Sequence, residues 1–296
     1  MLTTKPLPAA LVAAFPELEL RTTVRLHPRP GRTAPGDSKL GGEFLWPASE
    51  PWPVCPGHRD PLVGLLQLRC EEIPEVGSPD GCDLFQLLWC PKDHEATRYA
   101  PLPRVVWRRA VDTIGHAAAT PPAVDADHHY LPQPCRLSPE RVVELPHPFE
   151  LDDEETRGRI EEWIGANFRS LLAEGEVWAA SEGGSRIADE ADYQSSFSCA
   201  PGTKVGGFPS WIQDADYPSC ARGHRMDHLL TIASWEFDDA TWWRWLPTEE
   251  RAVWAGPTRA HLETREVAGL MLGDAGSLYV FVCRLCDTIA ASSQSC

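Results

Sequence analysis

Close pairs of cysteine and histidine recur along the chain at spacings that suit metal ligands. The four pairs are Cys55-x-x-His58, Cys90-x-x-x-His94, Cys220-x-x-x-His224 and Cys283-x-x-Cys286. Zinc needs four sulfur or nitrogen ligands in a tetrahedron, and two such pairs supply them. The sequence therefore predicts a Cys2His2 site in the first half of the chain and a Cys3His site in the second. Both sets fill all four positions, which predicts structural zinc and no catalytic residue.

Strands must bring the two pairs of each set together. Thirty-two residues separate His58 from Cys90, and 59 separate His224 from Cys283, which exceeds the spacing of small zinc fingers. In each set, the first cysteine of one pair is the last residue of an apolar run. The runs are Leu84–Cys90 and Leu278–Cys283. Short apolar runs with frequent turn residues are typical of antiparallel sheet. We therefore expect sheet pairing, rather than a local loop, to close each site.

An internal repeat links the two halves. The segment Ser38–Trp46 resembles Thr203–Trp211, and one offset of 165 residues carries Gly42 onto Gly207 and Cys55 onto Cys220. Several features in one order at one offset indicate duplication of a supersecondary unit. The predicted fold class is α+β, internally duplicated, with two related antiparallel sheet units and a few helices.

The repeat also suggests the boundaries of the units. Residues 1–36 are predicted to form an N-terminal helix and lead-in, 37–149 repeat unit 1, 150–190 a connecting helix, 191–288 repeat unit 2, and 289–296 a disordered tail. Acidic residues followed by apolar residues at helical spacing place the connecting helix at about 153–173. Residues 115–148 are rich in Pro, Ala and His and are predicted to be irregular.

Other residues leave alternatives open. The Lys-x-Gly-Gly elements, 39–42 and 204–207, could bind phosphate, but they run into proline or core aromatics and not into a helix, which favours tight turns. Cys283-x-x-Cys286 could be a redox motif, although no helix follows to lower a thiol pKa. The remaining cysteines are interpreted as buried thiols, except for the terminal Cys296. These are Cys70, Cys82, Cys135 and Cys199.

Composition excludes some partners. The chain of 296 residues carries 27 Lys and Arg against 43 Asp and Glu, a net charge of −16. Phosphate contacts need clustered Lys and Arg, so we expect no nucleic-acid partner and no anionic membrane. A basic protein remains a compatible partner. The sequence has no secretory signal and no apolar run long enough for a membrane span, so we predict a cytoplasmic protein.

These motifs resemble the YwqG-like family, a bacterial domain family without an assigned function. The resemblance rests on Ser38–Gly42, Trp52-Pro53-x-Cys55, Leu65–Leu68 and Gly206-Gly207-Phe208-Pro209-x-x-Ile212-Gln213, and covers about residues 37–287. It implies an α+β fold with an internal duplication. Lys204–Trp211 and Leu278–Cys283 are more distantly similar to the programmed cell death protein 2 family, which chaperones a basic ribosomal protein. That family carries further Cys modules that this chain lacks.

The sequence supports three functional hypotheses. The first is a non-enzymatic, zinc-stabilised scaffold that binds a protein or peptide between the repeats, and a basic partner is compatible with it. The second is a hydrolase-type enzyme whose site lies between the repeats and uses Asp227, His228 or His129. The third is an immunity-type protein that neutralises a toxin. A closed metal set and many tryptophans favour the first hypothesis.

Overall fold

Two antiparallel β-sheets contain most of the regular structure. The computed structural model describes residues 1–113, 128–151, 153–171, 192–238, 240–251 and 264–296. In these residues the strands are β1 (Arg21–Arg25), β2 (Arg29–Pro30), β3 (Lys39–Leu40), β4 (Val63–Arg69), β5 (Leu84–His94), β6 (Ala100–Arg108), β7 (Cys135–Arg136), β8 (Glu140–Glu144), β9 (Lys204–Gly206), β10 (Asp227–Ala233), β11 (Ser277–Cys283) and β12 (Thr288–Gln294).

Each sheet has six strands within the described residues. The first sheet has the order β12-β11-β10-β9-β1-β8, and the second has the order β2-β7-β3-β4-β5-β6. Neighbouring strands β1 and β2 belong to different sheets, as do β7 and β8, so the chain crosses between the sheets twice at these points. The predicted α+β class with antiparallel sheets is confirmed.

The main hydrophobic core takes residues from both sheets. Leu66 and Leu87 of the second sheet belong to the same buried cluster as Leu230 and Val280 of the first. Because side chains alternate along a strand, the residues between these positions point to the other face. On β11, Leu278 and Val280 lie in the core, whereas Tyr279, Phe281 and Cys283 lie in a smaller cluster around Trp211.

The same alternation positions a cysteine on β5. Phe85, Leu87 and Trp89 lie in the main core, whereas Leu88 and Cys90 lie in a separate buried cluster with Trp46. Apolar residues on both faces make these strands nearly continuous apolar runs in the sequence, interrupted in β5 by Gln86. The strands thus present Cys90 and Cys283 on the faces away from the main core.

Four short or medium helices lie among the described residues. They are α1 (Ala9–Ala14), α2 (Glu154–Leu171), α3 (Tyr193–Ser196) and α4 (Trp242–Trp245). Short 3-10 helices span Pro74–Val76, Glu95–Thr97, Ala110–Thr113, His128–Tyr130, Pro148–Glu150 and Thr248–Glu250. No helix in the described residues is both long enough and apolar enough to cross a membrane.

Helix α2 confirms the helix predicted from residue 153 onward. The backbone N–H of Thr156 donates to the Asp153 carboxylate at 2.5 Å, which caps the first turn. Ile160, Ile164 and Phe168 are buried in one cluster with Leu11 of α1. The last two residues of the predicted helix, 172 and 173, and most of the remaining connector lie outside the described residues.

Two predictions about irregular structure were wrong. The tail predicted to be disordered contains β12, which pairs with β11 over seven residues, from Ser277↔Gln294 to Cys283↔Thr288. Ser292, Ser293 and Gln294 are buried there, and the Ser293 hydroxyl donates to the Thr97 carbonyl at 2.6 Å. The stretch 115–148 was predicted to be irregular, but it contains β7 and β8; its residues 115–127 lie outside the described residues.

A buried ion pair joins β8 to β9. Lys204 Nζ lies 3.1 Å from both carboxylate oxygens of Glu144, and both side chains are fully buried. The same carboxylate accepts the backbone N–H groups of Ala200 at 2.8 Å and Phe208 at 2.5 Å. Gly207 has a φ of +69°, and a Cβ there would come within 2.1 Å of a Glu144 oxygen. A glycine is therefore required where the backbone bends around this carboxylate.

The variant Lys204→Met should destabilise the protein by about 3–5 kcal/mol, because it leaves the Glu144 carboxylate buried without its counter-charge. The matched control is Lys39→Met. Lys39 is also buried but donates to the carbonyls of Ala34 and Pro35, so its loss leaves no unpaired charge. Denaturant unfolding measures both variants. Equal losses of stability would show that the ion pair has no special role.

Acid should destabilise the fold through His147. Burial, then the nearby Lys204 ammonium, lowers the pKa of His147 to about 3. The unfolded chain, with a histidine pKa of about 6.5, binds more protons between these values. Stability is therefore present above about pH 6.5 and is lost toward pH 3, by up to about 1.4 kcal/mol per pH unit.

The variant His147→Asn keeps a side-chain acceptor for the Phe149 N–H but cannot titrate. Its stability, measured by denaturant unfolding at several pH values, should fall less steeply with acid than that of the unaltered protein. The exposed His129→Asn is the control and should keep the original slope. An unchanged slope in His147→Asn would contradict the prediction.

Candidate metal centres

The structure brings Cys220, His224, Cys283 and Cys286 together in one cluster. We call it the Cys3His cluster; its ligand atoms all lie within 4.8 Å of one another. The His224 Nδ1 atom lies 3.5 Å from the Cys220 sulfur, 3.7 Å from the Cys283 sulfur and 3.4 Å from the Cys286 sulfur. The sulfurs of Cys220 and Cys286 are 3.8 Å apart. A single imidazole nitrogen thus faces three sulfurs.

A tight turn and a hairpin position these four side chains. Cys220 and His224 flank a turn in which the Cys220 N–H donates to the His224 carbonyl at 2.9 Å, and the Gly223 N–H donates to the Cys220 carbonyl at 2.8 Å. Cys283 ends β11, and Cys286 lies in the four-residue connection from β11 to β12. The turn therefore meets the end of the hairpin.

The second set, Cys55, His58, Cys90 and His94, also converges. In this Cys2His2 cluster the ligand atoms again lie within 4.8 Å of one another. His58 Nδ1 lies 3.3 Å from the Cys90 sulfur and 3.9 Å from the Cys55 sulfur. His94 Nε2 lies 3.6 Å from the Cys55 sulfur. Both cysteines are fully buried, whereas His58 is exposed.

A tight turn again meets a strand end. The Cys55 N–H donates to the Asp60 carbonyl at 2.7 Å, and the His58 N–H donates to the Cys55 sulfur at 3.3 Å. The pairing of β5 with β6 shifts register between Cys90 and Asp93. Asp93 accepts the Tyr130 hydroxyl at 2.6 Å, and the next residue, His94, reaches the cluster. Cys90 and His94 thus both lie on β5 with the irregularity between them, whereas Cys286 lies beyond the end of β11.

Both donor sets fit a tetrahedral metal ion. At a metal–sulfur length of about 2.3 Å, tetrahedral sulfurs stand about 3.8 Å apart, and sulfur–nitrogen separations are slightly shorter. The sulfurs of Cys220 and Cys286 are 3.8 Å apart, the sulfur–nitrogen distances given above run from 3.3 to 3.9 Å, and all other ligand pairs lie within 4.8 Å. Thiolate and imidazole are ordinary ligands of zinc. Each cluster could therefore hold one metal ion with no position left for a substrate.

The thiols of each cluster influence one another's ionisation. Burial, then the neighbouring Cys55 sulfur, raises the pKa of the Cys90 thiol to about 12. Burial and the neighbouring cluster sulfurs raise the pKa of Cys286 to about 11. Burial acts to raise the pKa of Cys220, but hydrogen bonds from the Arg222 and His224 backbone outweigh it and lower the pKa to about 6. Several thiolates in one place need a cation to balance their charge.

Other candidate residues have structural partners instead. Lys39 and Lys204 of the Lys-x-Gly-Gly elements are buried and bonded within the protein, so neither presents its ammonium to a phosphate. The following glycines have positive φ, which confirms the tight turns. The rings of His128 and His129 lie 3.9 Å apart in a 3-10 helix.

Among the cysteines outside the clusters, Cys70, Cys135 and Cys199 are buried as predicted. Cys82 is half-buried, and Cys296 is exposed.

Sequence reasoning missed three arginines beside the Cys3His cluster. Arg21, Arg225 and Arg284 line one pocket together with Asp227 and His228. Arg225 directly follows His224, and Arg284 directly follows Cys283. An arginine therefore directly follows one residue of each of the two close pairs of this cluster, and this pattern could have been noticed in the sequence. The third arginine comes from the distant strand β1, which the sequence did not connect with this place.

Comparison with known families shows which family the chain belongs to. A model of a domain of unknown function, DUF1963, matches residues 38–285. This chain belongs to the DUF1963 family. The match to DUF1963 contains seven of the eight cluster residues, and Cys286 follows its last residue directly. No significant match was found among curated proteins.

The variant Cys283→Ser should destabilise this DUF1963 chain strongly, because serine removes a buried sulfur donor from the Cys3His cluster and is a poor metal ligand. Thermal unfolding should show a lower melting temperature or loss of the cooperative transition. The control Cys296→Ser alters an exposed thiol outside both clusters and should melt normally. Normal melting of Cys283→Ser would contradict a structural role for the cluster.

Proposed function

We propose that the protein is a non-enzymatic, zinc-stabilised scaffold, built by internal duplication, that binds a protein or peptide. The observation that carries the proposal is the pair of closed four-donor clusters, each at the junction of a tight turn and a sheet. Four protein ligands leave no open position for a water or substrate, so such a metal stabilises structure. Sulfur-rich sets select zinc over hard cations such as magnesium and calcium.

The matching parts of the two sheets support duplication. Strands β3, β4, β5 and β6 are neighbours in one sheet in the same order as β9, β10, β11 and β12 in the other. The register between the two long central strands shifts at Gly64/Leu66 in one sheet and at His228/Leu230 in the other. The glycine pairs after β3 and within and after β9 all have φ between +66° and +77°. Each set of four strands has its own turn and its own cluster, although the sheet that contains β9–β12 also takes β1 and β8 from the first half of the chain.

Charge suggests the kind of partner. A chain with a net charge of −16 attracts basic proteins and repels acidic ones. The distant resemblance to a family that chaperones a basic ribosomal protein points the same way, and the YwqG-like resemblance adds no activity. We therefore propose a basic protein or peptide as the partner.

The hydrolase alternative finds little support in His228. Its Nδ1 atom lies 3.1 Å from the Gly206 carbonyl, and its Nε2 atom lies 2.9 Å from the Thr231 hydroxyl. Burial, then the Lys204 ammonium, lowers the pKa of His228 to about 3. A general base needs a nitrogen that reaches a substrate proton, and both nitrogens of this ring have partners inside the protein.

Metal removal should unfold the protein or lower its melting temperature sharply. Structural zinc contributes on the order of 10 kcal/mol of binding free energy, which is comparable to the stability of a whole domain. Thermal unfolding should be followed before and after treatment with a chelator, and again after zinc is restored. Recovery of the original transition is expected. A transition that chelation leaves unchanged would contradict the metal-stabilised scaffold.

Binding of a basic partner is testable with labelled peptides. A lysine- and arginine-rich peptide should bind the zinc-loaded chain more tightly than an acidic peptide of equal length, as measured by fluorescence polarisation. Binding should weaken with added salt because the attraction is electrostatic. Equal affinity for the two peptides, or no binding of the basic peptide at low salt, would contradict this choice of partner.

A further inference from the structure

A cationic pocket lies beside the Cys3His cluster. Its volume is about 360 Å³, and its lining includes Arg21, Arg225, Arg284, Asp227, Tyr217 and His228. Three arginines against one aspartate give the lining an excess of two positive charges, which the ion pair of Arg21 with Glu19 outside the lining reduces to one. This is the reverse of the whole chain, whose net charge is −16. A local concentration of guanidinium groups in an acidic protein needs a specific explanation.

Aromatic rings position two of the guanidinium groups. Arg225 lies over the Tyr217 ring at 3.9 Å, and the Tyr217 hydroxyl is fixed by the Glu150 carboxylate at 3.0 Å. Arg21 lies over the Phe208 ring at 4.0 Å. Stacking on a ring restrains a guanidinium group while leaving its edge N–H donors available.

The described residues use only part of the N–H donors of these arginines. Glu19 accepts two N–H groups of Arg21, at 2.8 and 2.9 Å. The nearest ion-pair contact of Arg284 is to Asp227, at 3.9 Å. Arg225 forms no ion pair with any part of the chain that the structure describes. The pocket therefore presents N–H donors that a bound anion can accept.

The Cys3His cluster holds two of these arginines in place. Arg225 follows His224 in the tight turn, and Arg284 follows Cys283 at the end of β11. The third, Arg21, opens β1 in the same sheet. The pocket is thus assembled from three separate elements, and its shape depends on the turn and the hairpin staying together.

We propose that this pocket binds a phosphate group, as free phosphate or as a small phosphate monoester. A phosphate carries up to two negative charges and several acceptor oxygens, which match the planar, bidentate donors of Arg225 and Arg284 and the donors of Arg21 that Glu19 does not use. A pocket of this volume admits a small ligand and not a folded domain. The proposal rests on the proposed scaffold in one respect, since the metal cluster positions Arg225 and Arg284.

Isothermal titration of the zinc-loaded full chain at constant ionic strength tests the proposal. Inorganic phosphate and phenyl phosphate are the two probes, and acetate is the singly charged comparison. Saturable binding of at least one phosphate probe, tighter than that of acetate, is expected. Preference for phenyl phosphate would identify a monoester as the ligand, and preference for inorganic phosphate would identify the free ion. Absence of saturable binding by both probes would overturn the proposal.

Matched arginine variants show whether binding occurs in this pocket. Arg225→Gln and Arg284→Gln should each weaken phosphate binding by about tenfold or more, because each removes charge-assisted hydrogen bonds. Arg109→Gln makes the same charge change at an exposed arginine outside the pocket and should bind phosphate normally. Equal weakening by all three variants would show non-specific attraction and overturn the site.

The zinc content of each variant separates this proposal from the scaffold. Zinc retained in Arg225→Gln and Arg284→Gln with phosphate binding lost supports the pocket. Zinc present in the unaltered protein without phosphate binding overturns the pocket and leaves the scaffold standing. Phosphate binding by protein without zinc overturns the metal-stabilised scaffold and leaves the pocket standing.

Discussion

Four donor atoms held within 4.8 Å of one another, in two separate places, are the constraint on which the structure depends. Buried thiols resist ionisation, and one thiolate opposes the next, so the clusters are poorly compensated without a cation. A divalent ion reverses this balance, because it favours thiolates and binds the imidazole nitrogens. A metal bound in this way would join a tight turn to the end of a strand, and each sheet would acquire a fixed point at one end.

Inside the fold, buried lysines are stabilised by hydrogen bonds and an ion pair and not by a metal. Lys204 and Glu144 neutralise each other between β9 and β8, and the carboxylate also holds two backbone N–H groups. In the other sheet, Lys39 has a similar position but donates to carbonyl oxygens. The two sheets thus satisfy a buried lysine in two ways. The acid of the first pair comes from β8, the edge strand that lies next to β1 in its sheet.

The sequence was sufficient for the clusters because ligand chemistry restricts residue type and spacing. Cys220, His224 and Cys283 could be grouped from their repeat positions alone, without knowledge of the strand register. The partner of Lys204 could not be predicted from the sequence. Glu144 lies 60 residues away, and many other acidic residues could equally have been its partner. The strand at 288–294 was missed for a related reason. Its alanines and serines have little intrinsic strand preference, and its stability comes from pairing with β11 and from buried hydroxyl contacts.

The most direct test of the metal-stabilised scaffold is X-ray absorption at the zinc edge on protein purified without chelator. Two zinc ions per chain should appear, with average ligands of about 2.5 sulfurs at about 2.3 Å and about 1.5 nitrogens at about 2.0–2.1 Å. These averages combine one Cys3His site with one Cys2His2 site. Absence of zinc, or zinc surrounded chiefly by oxygen, would contradict the account and leave the eight residues as ordinary buried thiols and histidines.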